Sequence, residues 1–155
     1  MQVSTPLKEQ HSDKLTFEST KYQDHYYEVV DRAGQGTTSV VYYVMLRAKE
    51  DHRAVQLYAA KMMSTQYLDD KSGKNRREDL KREVSILGRV DEATSVTLIE
   101  VLYDHNSFII VQDLANGGTL NNLLGARDQK LSSIELRVLI KKINTVSISF
   151  YGYEF

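Results

Sequence analysis

The stretch VQLYAAKMM, residues 55–63, is a strand-like run broken by a single charge, Lys61. An isolated ammonium buried in such a run is very costly, so this residue calls for an anionic partner. It also fits an edge-strand lysine whose stem packs while its head reaches water. The residues around it give the lysine its context.

On the N-terminal side, Tyr26 to Arg32 and Ser39 to Arg47 (SVVYYVMLR) are rich in tyrosine and valine and read as two strands. Ala33-Gly34-Gln35-Gly36-Thr37-Thr38 makes the turn between them, and the charged stretch Ala48 to Ala54 makes the next turn. Glycines at such a tip let backbone approach a ligand and let turn N–H groups face phosphate oxygens. Two glycines alone fit a plain hairpin equally well.

On the C-terminal side, a polar loop from Ser64 to Lys74 leads into NRREDLKREVSILGRV, residues 75–90. Leu80, Val84 and Leu87 recur at helical spacing, Asn75 and Glu78 are placed as a capping box, and Glu78 stands four residues before Arg82. Two further strands follow, Val96 to Tyr103 and Ser107 to Gln112, with Asp104-His105-Asn106 as their turn. After Asn116-Gly117-Gly118-Thr119, a short helix is expected over Leu120 to Gly125. A second capping box, Ser132 with Glu135, opens another helix carrying Leu136, Ile140 and Ile143 on one face. The order is β-β-β-α-β-β-α-α, an α+β pattern.

Both ends differ from this middle. Residues 1–24 alternate charge sign and hold few apolar side chains. They read as a polar flexible extension, in which Leu15 and Phe17 are the candidates for docking. From Asn144 the chain reads NTVSISFYGYEF, where Val146, Ile148 and Phe150 alternate at strand rather than helix period.

The 155 residues are 41% hydrophobic and 26% charged with a net charge of −1, as expected of one soluble domain or one lobe of a larger one. The charge balance argues against nucleic acid or a membrane surface as partner. The chain has no cysteine, which excludes disulfides and thiolate metal sites, and its four histidines are scattered. No apolar run approaches the roughly 20 residues of a membrane span, and the N-terminus lacks a secretory signal core. A cytoplasmic protein without a resident metal is the expectation.

Taken in order, GQGTTSVV, YAAK, LKREVSIL and VQDLANGGTL resemble the N-terminal lobe of a eukaryotic protein kinase. Within the kinases the resemblance is to the calcium/calmodulin-dependent group, and most to the death-associated protein kinases, through DHYYEVV, YAAK, KREVSIL and TLIEVLYDH. The spacings from Lys61 to Glu83 and from Glu83 to Asp113 suit it. The resemblance covers roughly residues 25–143. It implies an α+β fold over 25–143, a kinase N-lobe with a five-stranded antiparallel sheet and one main helix, then a hinge and the first C-lobe helices, with 144–155 as a divergent tail.

The resemblance also implies roles. Ala33, Gly34, Gln35 and Gly36 would lid the phosphates of ATP. Val41 and Ala59 would cover the adenine. Lys61 would contact the α- and β-phosphates, held there by Glu83. Asp113 would offer its carbonyl and Ala115 its N–H to the adenine edge, with Gln112 as the gatekeeper.

The sequence also departs from the family. Ser39 replaces the third glycine of the loop and Thr38 the aromatic at its tip. Asp91-Glu92-Ala93-Thr94 lacks the family's histidine-asparagine feature. Thr119 replaces the acidic residue after the double glycine. About five extra residues precede Lys61, placed by the pattern in the turn Lys49 to Arg53. There is no His-Arg-Asp, Asp-Phe-Gly or Ala-Pro-Glu motif, so no catalytic base and no metal ligand can be assigned in this sequence.

The expectation is therefore a truncated Ser/Thr protein kinase domain. By itself it would be catalytically inactive, holding ATP weakly or not at all, with Mg2+ expected only for the complete domain. A protein substrate would belong to the full-length parent. The alternative is a non-catalytic interaction module whose exposed inter-lobe face takes a protein partner.

Overall fold

A computed structural model describes residues 14–68, 76–89, 95–103, 106–126 and 131–151. Its centre is a six-stranded antiparallel sheet in the order β1-β2-β3-β4-β6-β5. The strands are β1 (Thr16–Glu18), β2 (His25–Gln35), β3 (Val40–Ala48), β4 (Ala54–Ser64), β5 (Leu98–Tyr103) and β6 (Ser107–Asp113). The helices are α1 (Thr65–Leu68), α2 (Arg76–Leu87), α3 (Leu120–Ala126) and α4 (Ser133–Tyr151).

Alternation along the strands divides the core in two. Tyr27, Val44, Leu46, Tyr58, Ala60, Leu102, Ile109 and Val111 share one face of the sheet with Phe17. Met63, Phe108 and Ile110 point to the other face and are covered by Leu68 of α1 and by Leu80, Val84 and Leu87 of α2. The helical spacing read from 80, 84 and 87 is thus the stripe that α2 lays on the sheet. Glu78 pairs with Lys81 at 2.7 Å rather than with Arg82. Asn75, Asp91–Thr94 and Asp104-His105 lie outside the described residues, so the first capping box and the β5–β6 turn do too.

Three expectations need correction. The sheet has six strands, because Thr16–Glu18 pairs with β2. Residues 14–24 are accordingly not a loose extension: Phe17 is buried and stacks on Tyr27, with ring centroids 5.1 Å apart. One aromatic residue placed against a core aromatic helps to anchor a short edge strand that composition alone reads as polar. At the other end, α4 stays helical through Tyr151 where strand period was read from Asn144. A helix nucleated upstream propagates at small cost per residue, and the first glycine it meets is Gly152.

The nucleus of α4 is the capping box expected at Ser132. Its Oγ accepts from Glu135 N at 3.2 Å, while its own N and Oγ donate to Glu135 Oε2 at 3.0 and 2.9 Å. Ser132→Ala should shorten α4 and cost about 1 kcal/mol. Helicity followed by circular dichroism through a thermal melt checks this, and an unchanged midpoint would refute it.

Candidate functional site

The register of the sheet brings the separated motifs together. Gly34 on β2 pairs with Val41 on β3, Val41 with Lys61 on β4, and Lys61 with Ile110 on β6. Four strands thus carry these residues in one row. Lys61 is bonded on both sides in the middle of the sheet, which rules out the edge-strand reading. Ala59 lies two residues from Lys61 on the same face and is buried, opposite Tyr43 and Gln112.

The anion that Lys61 calls for is Glu83. Its Oε1 accepts from Lys61 Nζ at 2.5 Å. The side chains are 27% and 41% exposed, so the pair sits at an opening rather than inside the core. Ion pairs this accessible contribute little to stability. Their effect is positional: the carboxylate of α2 fixes where the ammonium points and leaves it able to meet a second anion.

The glycine turn lies at the end of the same row. Strand β2 runs on to Gln35, and Gly36 N donates to Ser39 O at 2.8 Å to close the turn. Ala33 is the residue skipped at a register shift between Arg32 and Gly34, a bulge that bends the strand there. Gln35 accepts a hydrogen bond from Arg32. A Cβ added at Gly34 would meet no protein atom within 4 Å, and at Gly36 only Ser39 in ordinary contact. Neither glycine has a positive φ, so neither packing nor backbone strain demands glycine at these places. An open approach to the backbone beside a paired lysine fits a phosphate-bearing ligand.

Asp113 ends β6 opposite Tyr58, and its N donates to Thr97 O at 3.0 Å. Ala115 follows in the exposed connection before α3. Within it Gly118 has φ 76°, a left-handed turn that glycine adopts without cost. Thr119, where an acidic residue was expected, uses its Oγ1 to accept from Asn122 N at 3.1 Å and caps α3.

Sequence reasoning missed one heavily hydrogen-bonded side chain. Glu100 on β5 is 8% exposed and accepts hydrogen bonds from Ser19, Thr20, Lys21 and Tyr27. Burial pushes its carboxyl up, but the bonds from Ser19, Tyr27 and Thr20 outweigh that and hold it below the usual carboxylate range. The signal was available: Glu100 interrupts TLIEVLY as Lys61 interrupts YAAKMM. Among the described residues no group of three or more acidic or histidine side chains is placed to hold a metal ion, and no helix is long and apolar enough to cross a membrane.

Comparison with known proteins addresses the whole arrangement. The model of the protein kinase domain family matches residues 27–147. The chain belongs to the protein kinase family. Among its relatives, death-associated protein kinase 2 of Mus musculus is 29% identical over 128 residues, which are 83% of this chain and 33% of that protein. Death-associated protein kinase dapk-1 of Caenorhabditis elegans is 29% identical over 134 residues, 85% of this chain and 9% of the relative. Myosin light chain kinase A of Dictyostelium discoideum is 29% identical over 127 residues, 82% of this chain and 38% of the relative. This kinase chain therefore spans about a third of the length of the mouse relative. The sheet with α2 across it agrees with a kinase N-lobe, and the similarity to death-associated protein kinases agrees with the motifs that suggested them.

Proposed function

We propose that this chain is the nucleotide-holding part of a Ser/Thr protein kinase. The reading rests on one observation above the others, the contact of Lys61 on a central strand with Glu83 on the helix that crosses it. The ligand is ATP, seated on the α2 side of the sheet. Ala33, Gly34, Gln35 and Gly36 cover its phosphates, and Lys61 meets the α- and β-phosphates while Glu83 keeps the ammonium aimed. Val41 and Ala59 enclose the adenine, whose edge is read by the Asp113 carbonyl and the Ala115 N–H. In the complete protein the γ-phosphoryl group passes to a serine or threonine hydroxyl of a protein substrate, with Mg2+ held by residues that this sequence does not contain. Phosphoryl transfer depends on positioning and charge stabilisation. These residues supply the first and only part of the second, so the 155 residues alone bind without transferring.

Titration with a fluorescent ATP analogue tests the reading. Lys61→Met should weaken binding by about tenfold or more, as expected for a lost charge-assisted contact. Phosphate incorporation by the 155-residue chain should equal that of the Lys61→Met variant. Binding that is indifferent to Lys61 would overturn the nucleotide site, and incorporation above the variant would overturn the inactivity.

A second reading, a non-catalytic interaction module, is favoured by α4. Leu136, Ile140 and Ile143, on one face of that helix, are 45%, 47% and 52% exposed. Apolar surface of this kind marks an interface. A stoichiometric protein partner recovered equally by wild type and Lys61→Met, without nucleotide binding, would favour the module.

A further inference from the structure

Strands β1 and β5 are the two edges of the sheet, yet Glu100 on β5 bonds the loop that follows β1. The sheet is therefore curled until its edges meet, and a side chain spans the remaining gap. Oε1 accepts from Ser19 Oγ and from Tyr27 OH, both at 2.6 Å. Oε2 accepts from Thr20 N at 2.9 Å, Thr20 Oγ1 at 2.8 Å and Lys21 N at 3.1 Å. The loop is wound to present these donors: Ser19 Oγ also accepts from Tyr22 N at 2.9 Å, and Asp24 turns the chain with φ 61°. The side-chain and backbone donors are all neutral, and one carboxylate satisfies them together.

We propose that Glu100 is a latch that fastens the β1–β2 hairpin across the open seam of the curled sheet, and that residues 15–24 form a strap able to open there as a unit. Beyond the latch the strap is held by a few contacts: Tyr22 packs against the core with its OH 3.5 Å from Tyr58 OH, and Asp24 O accepts from Lys49 N at 2.8 Å. Strand β1 is three residues long and paired on one side only. Its burial rests on Phe17, and its outer contacts are the surface pairs Lys14–Glu28 and Lys49–Glu18. Elements with few buried contacts open locally, below the free energy of global unfolding. Opening uncovers the rings of Phe17 and Tyr27 on the face away from Lys61. The latch does not depend on what the Lys61 face binds.

The two carboxylate oxygens differ in what they demand. Both donors on Oε1 are hydroxyls, which can also accept. Two of the three on Oε2 are backbone N–H groups, which cannot. Glu100→Gln therefore has one good orientation, with its oxygen toward Thr20 and Lys21 and its NH2 toward Ser19 and Tyr27. Glu100→Leu has none and strands two amide donors.

The test is amide hydrogen exchange followed by NMR on the full chain. Glu100→Leu should accelerate exchange at Thr20 and Lys21 on the order of 100-fold, as expected for losing a buried acceptor. Amides of β4 and β6 should keep their protection to within about threefold, since local opening leaves the core closed. Glu100→Gln should recover most of the loss. A double variant, Ser19→Ala with Thr20→Val, removes two donors from the loop side without altering the core. It should accelerate the same amides alone, and it decides the matter if Glu100→Leu does not fold. Equal acceleration across 15–24, β4 and β6 in the variants would show that there is no separate strap. Unchanged exchange at Thr20 and Lys21, or Glu100→Gln behaving as Glu100→Leu, would overturn the latch.

Discussion

Tyr27→Ala should cost about 4 kcal/mol, a large part of the stability of a domain this size. The ring is fully buried. It stacks on Phe17 at 5.1 Å and meets Tyr58 edge-on at 6.1 Å, so truncation leaves a cavity lined by two aromatic faces. It also removes the hydroxyl that donates to Glu100 at 2.6 Å. Burial, and then the bond to Glu100, push the Tyr27 phenol far above its ordinary range, so it stays a neutral donor at every pH where the fold survives. Tyr27→Phe separates the two contributions. It keeps the packing and removes one donor, while Ser19 still serves the same oxygen, and it should cost only about 1 kcal/mol. Urea denaturation of both variants gives the comparison. A Tyr27→Phe loss as large as that of Tyr27→Ala would mean that the hydroxyl, not the ring, holds this core.

The second large effect is expected on the opposite face. Ile110 is fully buried among Met63, Phe108, Leu68 and Leu80, and it pairs in register with Lys61. Ile110→Ala should cost about 3 kcal/mol, and Ile110→Val about 1 kcal/mol. The void opens beneath α2, so the helix that carries Glu83 should lose protection first. Hydrogen exchange over residues 76–87 should accelerate more than over β2 and β3, whose packing belongs to the other cluster. Uniform acceleration would show that α2 and the sheet open only together.

The fold was largely legible because its information is local. The β-branched and tyrosine runs at 26–32, 39–47 and 55–63 became β2, β3 and β4, and the stripe of Leu80, Val84 and Leu87 became the buried side of α2. The glycine turn, Lys61 and Glu83 were legible as a set because their order along the chain is informative, even though each is ordinary alone. What stayed hidden depends on contacts between distant segments. Phe17 stood out in its polar segment as a residue that could dock, but nothing near it in sequence named its partner, Tyr27. Glu100 lies 73 residues from Tyr27, and nothing near it in sequence names its donors. The tail from Asn144 was misread for the opposite reason. Alternation of Val146, Ile148 and Phe150 is a local signal, and there the helix begun at Ser132 overrode it.

The placement of Lys61 also bears on how errors in folding are caught. Its neighbours Ala60 and Met62 belong to the tyrosine-lined side of the sheet, and Ala59 and Met63 to the other. A slip of β4 by a single position would exchange the two sides along the whole strand. Slipped toward the place of Ala60, the ammonium would be driven in opposite Tyr42 and Val111 on that buried side, away from Glu83, and Met62 would take its place in the row of the glycine turn. An unpaired charge in that interior is too costly to persist. The residue at the centre of the site therefore also proofreads the pairing of the strand that bears it, and a chain that has closed its sheet has, by that act, set its lysine.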